Sequence, residues 1–389
     1  MRLLTARGKP ALLSYCANVH PGETLEDVRQ ALRRFAGPIR RSLGAKELAV
    51  GLWLSRGALT ELRRAGVGRL REALVEDGLF VVTLNGFPYG NFHSEVVKRA
   101  VYHPDWTTRE RRLYLVELAE VLAALLPDDV GEGTISTLPL GHRQEPGEDV
   151  WNRSLESLCA VTEDLARVWE TTGKSIRICL EPEPGCYLET TGDTLRFFRE
   201  ALPEACRRLR VSPELVRQHL GVCFDTCHQA VAFEEPAAAL NSLRDAGVVV
   251  GKIQLATALV VPKPATLAAR SSLARFEEPR FLHQVRAQLD DGGLTGVDDL
   301  PLCGTLPTDR PWRVHFHVPI HRELVGELGT TRPFLREALA AVAEWDTLPH
   351  LEVETYTWSV LPPGDRPEND AGLVAGIADE LRWVKQEVT

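Results

Sequence analysis

A chain of 389 residues with 44% hydrophobic and 25% charged residues has the make-up of one large globular domain or two ordinary ones. Its formal charge of −9 speaks against a broad nucleic-acid surface, since phosphate recognition needs a basic face. No apolar run approaches the ~20 residues of a membrane span, and the N-terminus lacks a signal-peptide pattern, so membrane insertion and secretion are not expected.

In chain order, the first strand is expected at 11–19 (ALLSYCANV), with Tyr15, Asn18 and His20 at its end. Thr24 and Asp27 have capping-box spacing for a helix that follows. Strands at 47–55 and 79–85 come next, and the second of them opens into NGFPYGNFH with Asn85, Tyr89 and His93. Between them Arg63, Arg64, Arg69 and Arg71 form the solvated face of a helix. Thr107 and Glu110 again have capping-box spacing, before Leu113, Val116, Val121, Leu122 and Leu125 at helical intervals. Strands at 131–138, 175–181, 220–225 and 247–255 alternate with further helical patterns, such as Leu155, Leu158, Val161 and Leu165.

The stretch 256–311, rich in Pro, Gly, Asp and Ala, breaks that rhythm. A structureless loop of that length is rare inside a compact domain, so it reads as an inserted excursion near the barrel mouth, helical at about 274–290. VHFHVP then returns as an extra strand or loop over the mouth. A last strand at 349–355, a loop at 362–370 and a closing helix at about 371–386 complete the chain. Eight strands alternating with helices predict a single α/β domain over 1–389, a (β/α)8 TIM barrel with an excursion after strand seven. Eight cysteines with no CxxC pair, several inside apolar runs, read as reduced thiols of a cytoplasmic protein.

Polar clusters stand where the apolar strands run out, which is where a (β/α)8 enzyme keeps its chemistry. In LEPEPG, Pro182 turns the chain out of its strand and leaves Glu181 at the strand end. Glu183 follows as a group to orient substrate or pair with an Arg. In FDTCH, Asp225 and His228 lean over one opening, and both residue types suit Mn, Fe, Co or Zn. The plainer alternative is a capping Asp and a His bonded to backbone.

Gln254 in KIQLA offers a neutral oxygen to a hard cation. His315 and His317 alternate, so they share one strand face. Glu352 and Glu354 do the same in LEVETYTW: Glu354 reaches the cup, while Glu352 lies deeper or pairs with a base. Asn85, Tyr89, His93 and His20 are candidate substrate contacts. The chain has no P-loop, no GxGxxG after a strand and no GxSxG, so phosphate-cradling and nucleophile-elbow chemistry have no support.

At these positions the chain resembles the xylose isomerase-like TIM-barrel superfamily of sugar isomerases, ketose 3-epimerases and endonuclease IV-type enzymes. Glu at strand five, Asp-x-x-His at strand six, a ligand at strand seven and Glu at strand eight match Glu181, Asp225 with His228, Gln254 and Glu354. More narrowly, LSYCANVHPGE, LNGFPYGNFH, VYHPDWTT and STLPL resemble the EboE metabolite-traffic proteins. That resemblance implies the making or export of a small metabolite, with proteins of the same gene cluster as partners. Two departures stand out. Ketose epimerases usually have His in place of Gln254, and endonuclease IV-like members have Asp in place of His315.

Together these features predict a divalent-metal-dependent isomerase or epimerase (Mn, Fe, Co, Zn or Mg) acting on a polyhydroxylated, sugar- or cyclitol-like metabolite. Glu181, Asp225, Gln254 and Glu354 hold the cation, and Glu181 and Glu354 exchange protons with substrate. His228, His315 and His317 provide a second position or bind substrate. The rival expectations are a metabolite-binding barrel without turnover and an endonuclease IV-like metal phosphodiesterase, the latter disfavoured by the acidic charge.

Overall fold

The computed structural model describes residues 1–145 and 149–389. Eight parallel strands close on themselves: Pro10–Cys16, Leu48–Trp53, Thr83–Asn85, Glu132–Thr137, Ser175–Leu180, Leu220–Asp225, Val250–Leu255 and His350–Val353. The first pairs with both the second (Ser14 opposite Ala49) and the eighth (Leu13 opposite Leu351), which closes the barrel. These segments are aliphatic and buried along most of their length, as strands covered on both faces must be. The eight expected strands are the eight found. The third is divided: Leu79–Phe80 and Thr83–Asn85 both pair with the second strand, while Val81 and Val82 leave the ladder.

Helices cover the barrel. Thr24 and Asp27 form a reciprocal capping box at the first of them, Leu25–Ala31. The helix Arg109–Leu125 is capped by Thr108, one residue later than the sequence pattern suggested. Thr107 instead hydrogen-bonds the Asp105 side chain through its N–H and hydroxyl. The last helix, Asp370–Val388, starts at Asn369, whose side chain accepts from Gly372 N–H. The basic run expected on one helix is split at Gly66 between two, Arg56–Ala65 and Val67–Glu76; Arg63 on the first pairs with Glu117 and Glu120, and Arg71 on the second with Asp128.

Between the seventh and eighth barrel strands the chain builds a six-stranded antiparallel sheet. Its order is Leu294–Val297, Val285–Gln288, Trp312–Val318, Thr257–Val261, Leu328–Thr330, Leu324–Val325. The sheet thus extends to Thr330, beyond 311. The helix expected at about 274–290 is not there: a short helix occupies Leu267–Ala274, and 285–288 is a strand. Val285 and Ala287 are buried between partner strands on both sides, so tertiary pairing overrides the local helical pattern. VHFHVP is a strand as expected, paired with Thr257–Val261 on one side and Val285–Gln288 on the other.

Candidate metal and substrate site

The C-terminal ends of barrel strands five to eight converge on a group of buried side chains. One oxygen each of Glu181, Asp225 and Glu354 lie within 4.8 Å of one another. Asp225 closes strand six and caps the helix Thr226–Val231, its Oδ1 accepting from the N–H groups of Cys227 (2.6 Å) and His228 (3.1 Å). Among the described residues its Oδ2 has no hydrogen-bond partner, nor do Glu181 Oε2 and either amide atom of Gln254. The Asn18 and Asn85 amides, each at 2.8 Å, donate to Glu354 Oε1.

Burial and crowding favour the neutral acids. Glu181 is held well above the carboxylate range by burial and then by Glu354 and Asp225. Burial, followed by Asp225, pushes Glu354 up to about 8. Burial also raises Asp225, although His317 and the two backbone donors pull it back.

Above this floor, His315 and His317 descend from the antiparallel sheet and meet His228. His228 Nδ1 lies 3.0 Å from the Pro182 carbonyl, so it must carry the proton. His315 Nδ1 lies 2.6 Å from Gln284 Oε1, and the Gln284 amide nitrogen faces Tyr102 OH (3.3 Å) and Pro184 O (3.0 Å). That network fixes the amide and makes His315 Nδ1 a donor too. Both Nε2 atoms are then lone-pair acceptors, and they stand 3.1 Å apart. His317 Nδ1 donates to Glu354 O (2.7 Å), leaving its Nε2 lone pair 3.8 Å from Asp225 Oδ2.

Burial moves all three imidazoles away from protonation, to about 3 for His228 and about 4 for His317, with His315 well below the usual range. A buried cluster of acceptors facing acceptors is electrostatically unfavourable unless a cation joins it. The donor set, carboxylates with imidazoles, suits a divalent metal. Compatible triads are Glu181–Asp225–Glu354, Asp225–His228–His317, Glu183–His228–His315 and Cys227–His315–His317.

The remaining candidates sort by position. Glu183 accepts from Tyr102 OH at 2.8 Å and lies 3.7 Å from His315; burial pushes it up to about 8. Asn85 lines the cavity with Phe87 and Phe92. His20, Tyr89 and His93 lie outside the lining of that cavity. His20 stacks on Phe35 at 4.1 Å, Tyr89 packs against Tyr114, and His93 against Trp53 and Phe92. Glu352 lies in the barrel lumen, its Oε2 2.6 Å from Lys252 Nζ and its Oε1 accepting from Ser14 at 3.1 Å.

Several contributors had no sequence signal of their own. Tyr102 and Gln284 are single polar residues, Lys252 sits inside an apolar run, and Tyr356, Phe281 and Lys98 complete the cavity wall. The cavity itself is small, about 60 Å³, and about 540 Å³ of empty space is reached only when the open solvent at its mouth is included.

A family model described as xylose isomerase-like TIM barrel matches residues 41–266. Among solved structures, a D-tagatose 3-epimerase-like protein has a TM-score of 0.50 at 13% identity, covering 97% of this chain and 100% of that one. The IolI protein with a bound zinc atom has a TM-score of 0.49 at 12% identity, covering 97% and 99%. The 3-keto-D-glucoside 4-epimerase YcjR of E. coli gives 0.45 at 14%, also over 97% and 99%. No curated protein matches the chain in sequence. No helix among the described residues is long and apolar enough to cross a membrane. With the family match spanning more than half of its length, the chain belongs to the xylose isomerase-like TIM-barrel family.

Proposed function

We propose that this protein is a divalent-metal-dependent isomerase or epimerase of a sugar- or cyclitol-like metabolite. One observation carries the reading: buried oxygen and nitrogen acceptors without partners (Glu181 Oε2, Asp225 Oδ2, His317 Nε2) converge with Glu354 at the barrel mouth. Glu181, Asp225, Gln254 and Glu354 would hold the cation, with His228, His315 and His317 available to a second one or to substrate. The bound cation would supply Lewis-acid polarisation of a substrate carbonyl.

The protein's own groups would move the proton. Glu181 and Glu354 approach from strands five and eight, and burial holds both acids above their usual range. Without a cation, burial pushes Glu354 up to about 8, and a bound divalent cation would draw it back toward the ionised form that accepts a proton. Asn18 and Asn85 fix the Glu354 carboxyl, and Phe281 adds an apolar side chain to the cavity wall. The resemblance to EboE proteins supports a place in the synthesis or export of a small metabolite.

The test is deuterium exchange. Metal-loaded protein in deuterated water should wash deuterium into the carbon beside the carbonyl of a ketose or inosose that it accepts, and Glu354→Gln should abolish the exchange. Tight binding of such a compound with no exchange would replace catalysis by a carrier role.

A further inference from the structure

We infer that the ligand of this cavity is an uncharged polyhydroxylated compound carrying an apolar, ring-sized substituent, and not a sugar phosphate or phosphodiester. The inference deepens the sugar-site reading above and rests on it. It comes from the cavity wall beyond the metal-binding groups.

The first observation is that, among the described residues, no uncommitted lysine or arginine lines the cavity to take a phosphate. Lys98 is the one lysine or arginine among the described residues lining the cavity. An ammonium has three donors, and those of Lys98 face Asp299 Oδ2 (2.6 Å), Phe281 O (2.8 Å) and Glu278 O (3.4 Å). Its charge is matched by Asp299, and its donors are taken by a carboxylate and two carbonyls. The wall also carries Glu181, Glu183 and Glu354, and a carboxyl group, neutral or ionised, supplies no positive charge to a phosphate.

The second observation is topological. Barrels that bind phosphate commonly do so with the loops after strands seven and eight and the N-terminus of a short helix. Here strand seven passes through Ala256 straight into the antiparallel strand Thr257–Val261, and strand eight leads into the single turn Tyr356–Ser359. The N-cap of the helix after strand six is filled by Asp225, whose carboxylate already accepts the first free N–H groups. Among the described residues, the segments directly after strands seven and eight open no α-helix at this mouth, and the helix start after strand six is already capped.

The third observation is the roof. Phe87, Phe92, Val101, Phe281, Leu282 and Tyr356 line the cavity together with the carboxylates. Phe281 is seated between Phe92 (5.1 Å) and Tyr356 (5.0 Å), and its segment is tied to the loop after strand three by the N–H groups of Val97 and Lys98, which both donate to Arg280 O. An aromatic wall fixed by backbone bonds offers a ready contact for an apolar ring. A bare polyol would present hydroxyls to it without partners.

Calorimetric titration of the manganese-loaded protein tests this with matched probes: several free hexoses, their phenyl glycosides and their 6-phosphates. At least one phenyl glycoside should bind about tenfold or more tighter than its parent hexose, and the 6-phosphate more weakly than the parent. In Phe281→Ala and the milder Phe281→Leu the preference for the phenyl group should shrink, most in the alanine variant. A 6-phosphate that binds best, a parent hexose that binds as well as its phenyl glycoside, or a panel in which nothing binds would each overturn the inference. The first two outcomes leave the metal-site reading intact, whereas phenyl-glycoside binding by a protein that holds no metal would sink that reading and keep this one.

Discussion

Lys252 Nζ lies 2.6 Å from Glu352 Oε2 inside the barrel lumen, with both side chains sealed from water. Two residues along strand seven from Lys252, Gln254 stands in register opposite Asp225 on one side and Glu352 on the other. Burial by itself would lower the Lys252 pKa, yet the adjacent Glu352 outweighs it and keeps the ammonium charged. The pair therefore places one fixed cation beneath a cluster of acids.

Removing one partner leaves a buried charge uncompensated. Lys252→Met should destabilise the protein by about 3–5 kcal/mol in urea denaturation, and adding Glu352→Leu should restore most of that loss. Equal stability of the single variant and the native protein would show that the pair is not sealed.

The pair depends on a glycine in the second strand. A Cβ on Gly51 would lie 1.5 Å from Glu352 Oε1, a fully buried atom with nowhere to move. Gly51→Ala should lower stability by about 1–3 kcal/mol through overpacking. Denaturation midpoints of the two proteins, compared at one pH, provide the check.

Gln254 presents a buried amide with no partner for either atom. Imidazole is a better zinc ligand than an amide oxygen. Gln254→His should therefore bind zinc more tightly, by about tenfold or more in competition with a chromogenic chelator. Unchanged zinc affinity would remove position 254 from the ligand set.

The pH dependence has a definite sign. Burial pushes Glu183 and Glu354 up to about 8 and Glu380 to about 7. These acids are ionised in the unfolded chain above about 4.3 and remain protonated in the fold until pH 7–8. Their stabilising effect is full below about pH 4.3, falls steadily as the unfolded chain ionises, and is completely lost once pH passes 7–8. His228 and His317 are depressed, to about 3 and about 4, so above about pH 6.5 they are neutral in both states and drop out. Chelator-treated protein should melt at a lower temperature at pH 8 than at 6.5. Manganese, which needs ionised carboxylates, should raise the melting temperature more at pH 8. The opposite order would contradict the buried-acid account.

The barrel was legible because its strands are short aliphatic runs that end abruptly in polar residues, as Leu180 to Glu181 and Phe224 to Asp225 show. The grouping of Glu181, Asp225 and Glu354 followed from the same feature: each sits where a strand ends, and closing the barrel brings those ends together. Other features depended on tertiary partners. The segment around Val285 has helical spacing and becomes a strand because strands flank it on both sides. Lys252 resembles any lysine at a strand's midpoint until Gly51 and Glu352 make room for it. His20 and His93 lie near strand ends, yet their rings turn into aromatic packing with Phe35 and Trp53.

The most direct test of the central claim is metal analysis of protein purified without chelators, beside Asp225→Ala and Glu354→Ala. The account predicts at least about one divalent cation per chain in the native protein, lost in both variants while circular dichroism shows the fold retained. A native protein that takes up no manganese or zinc on loading, or an Asp225→Ala variant that keeps the full metal content, would contradict it.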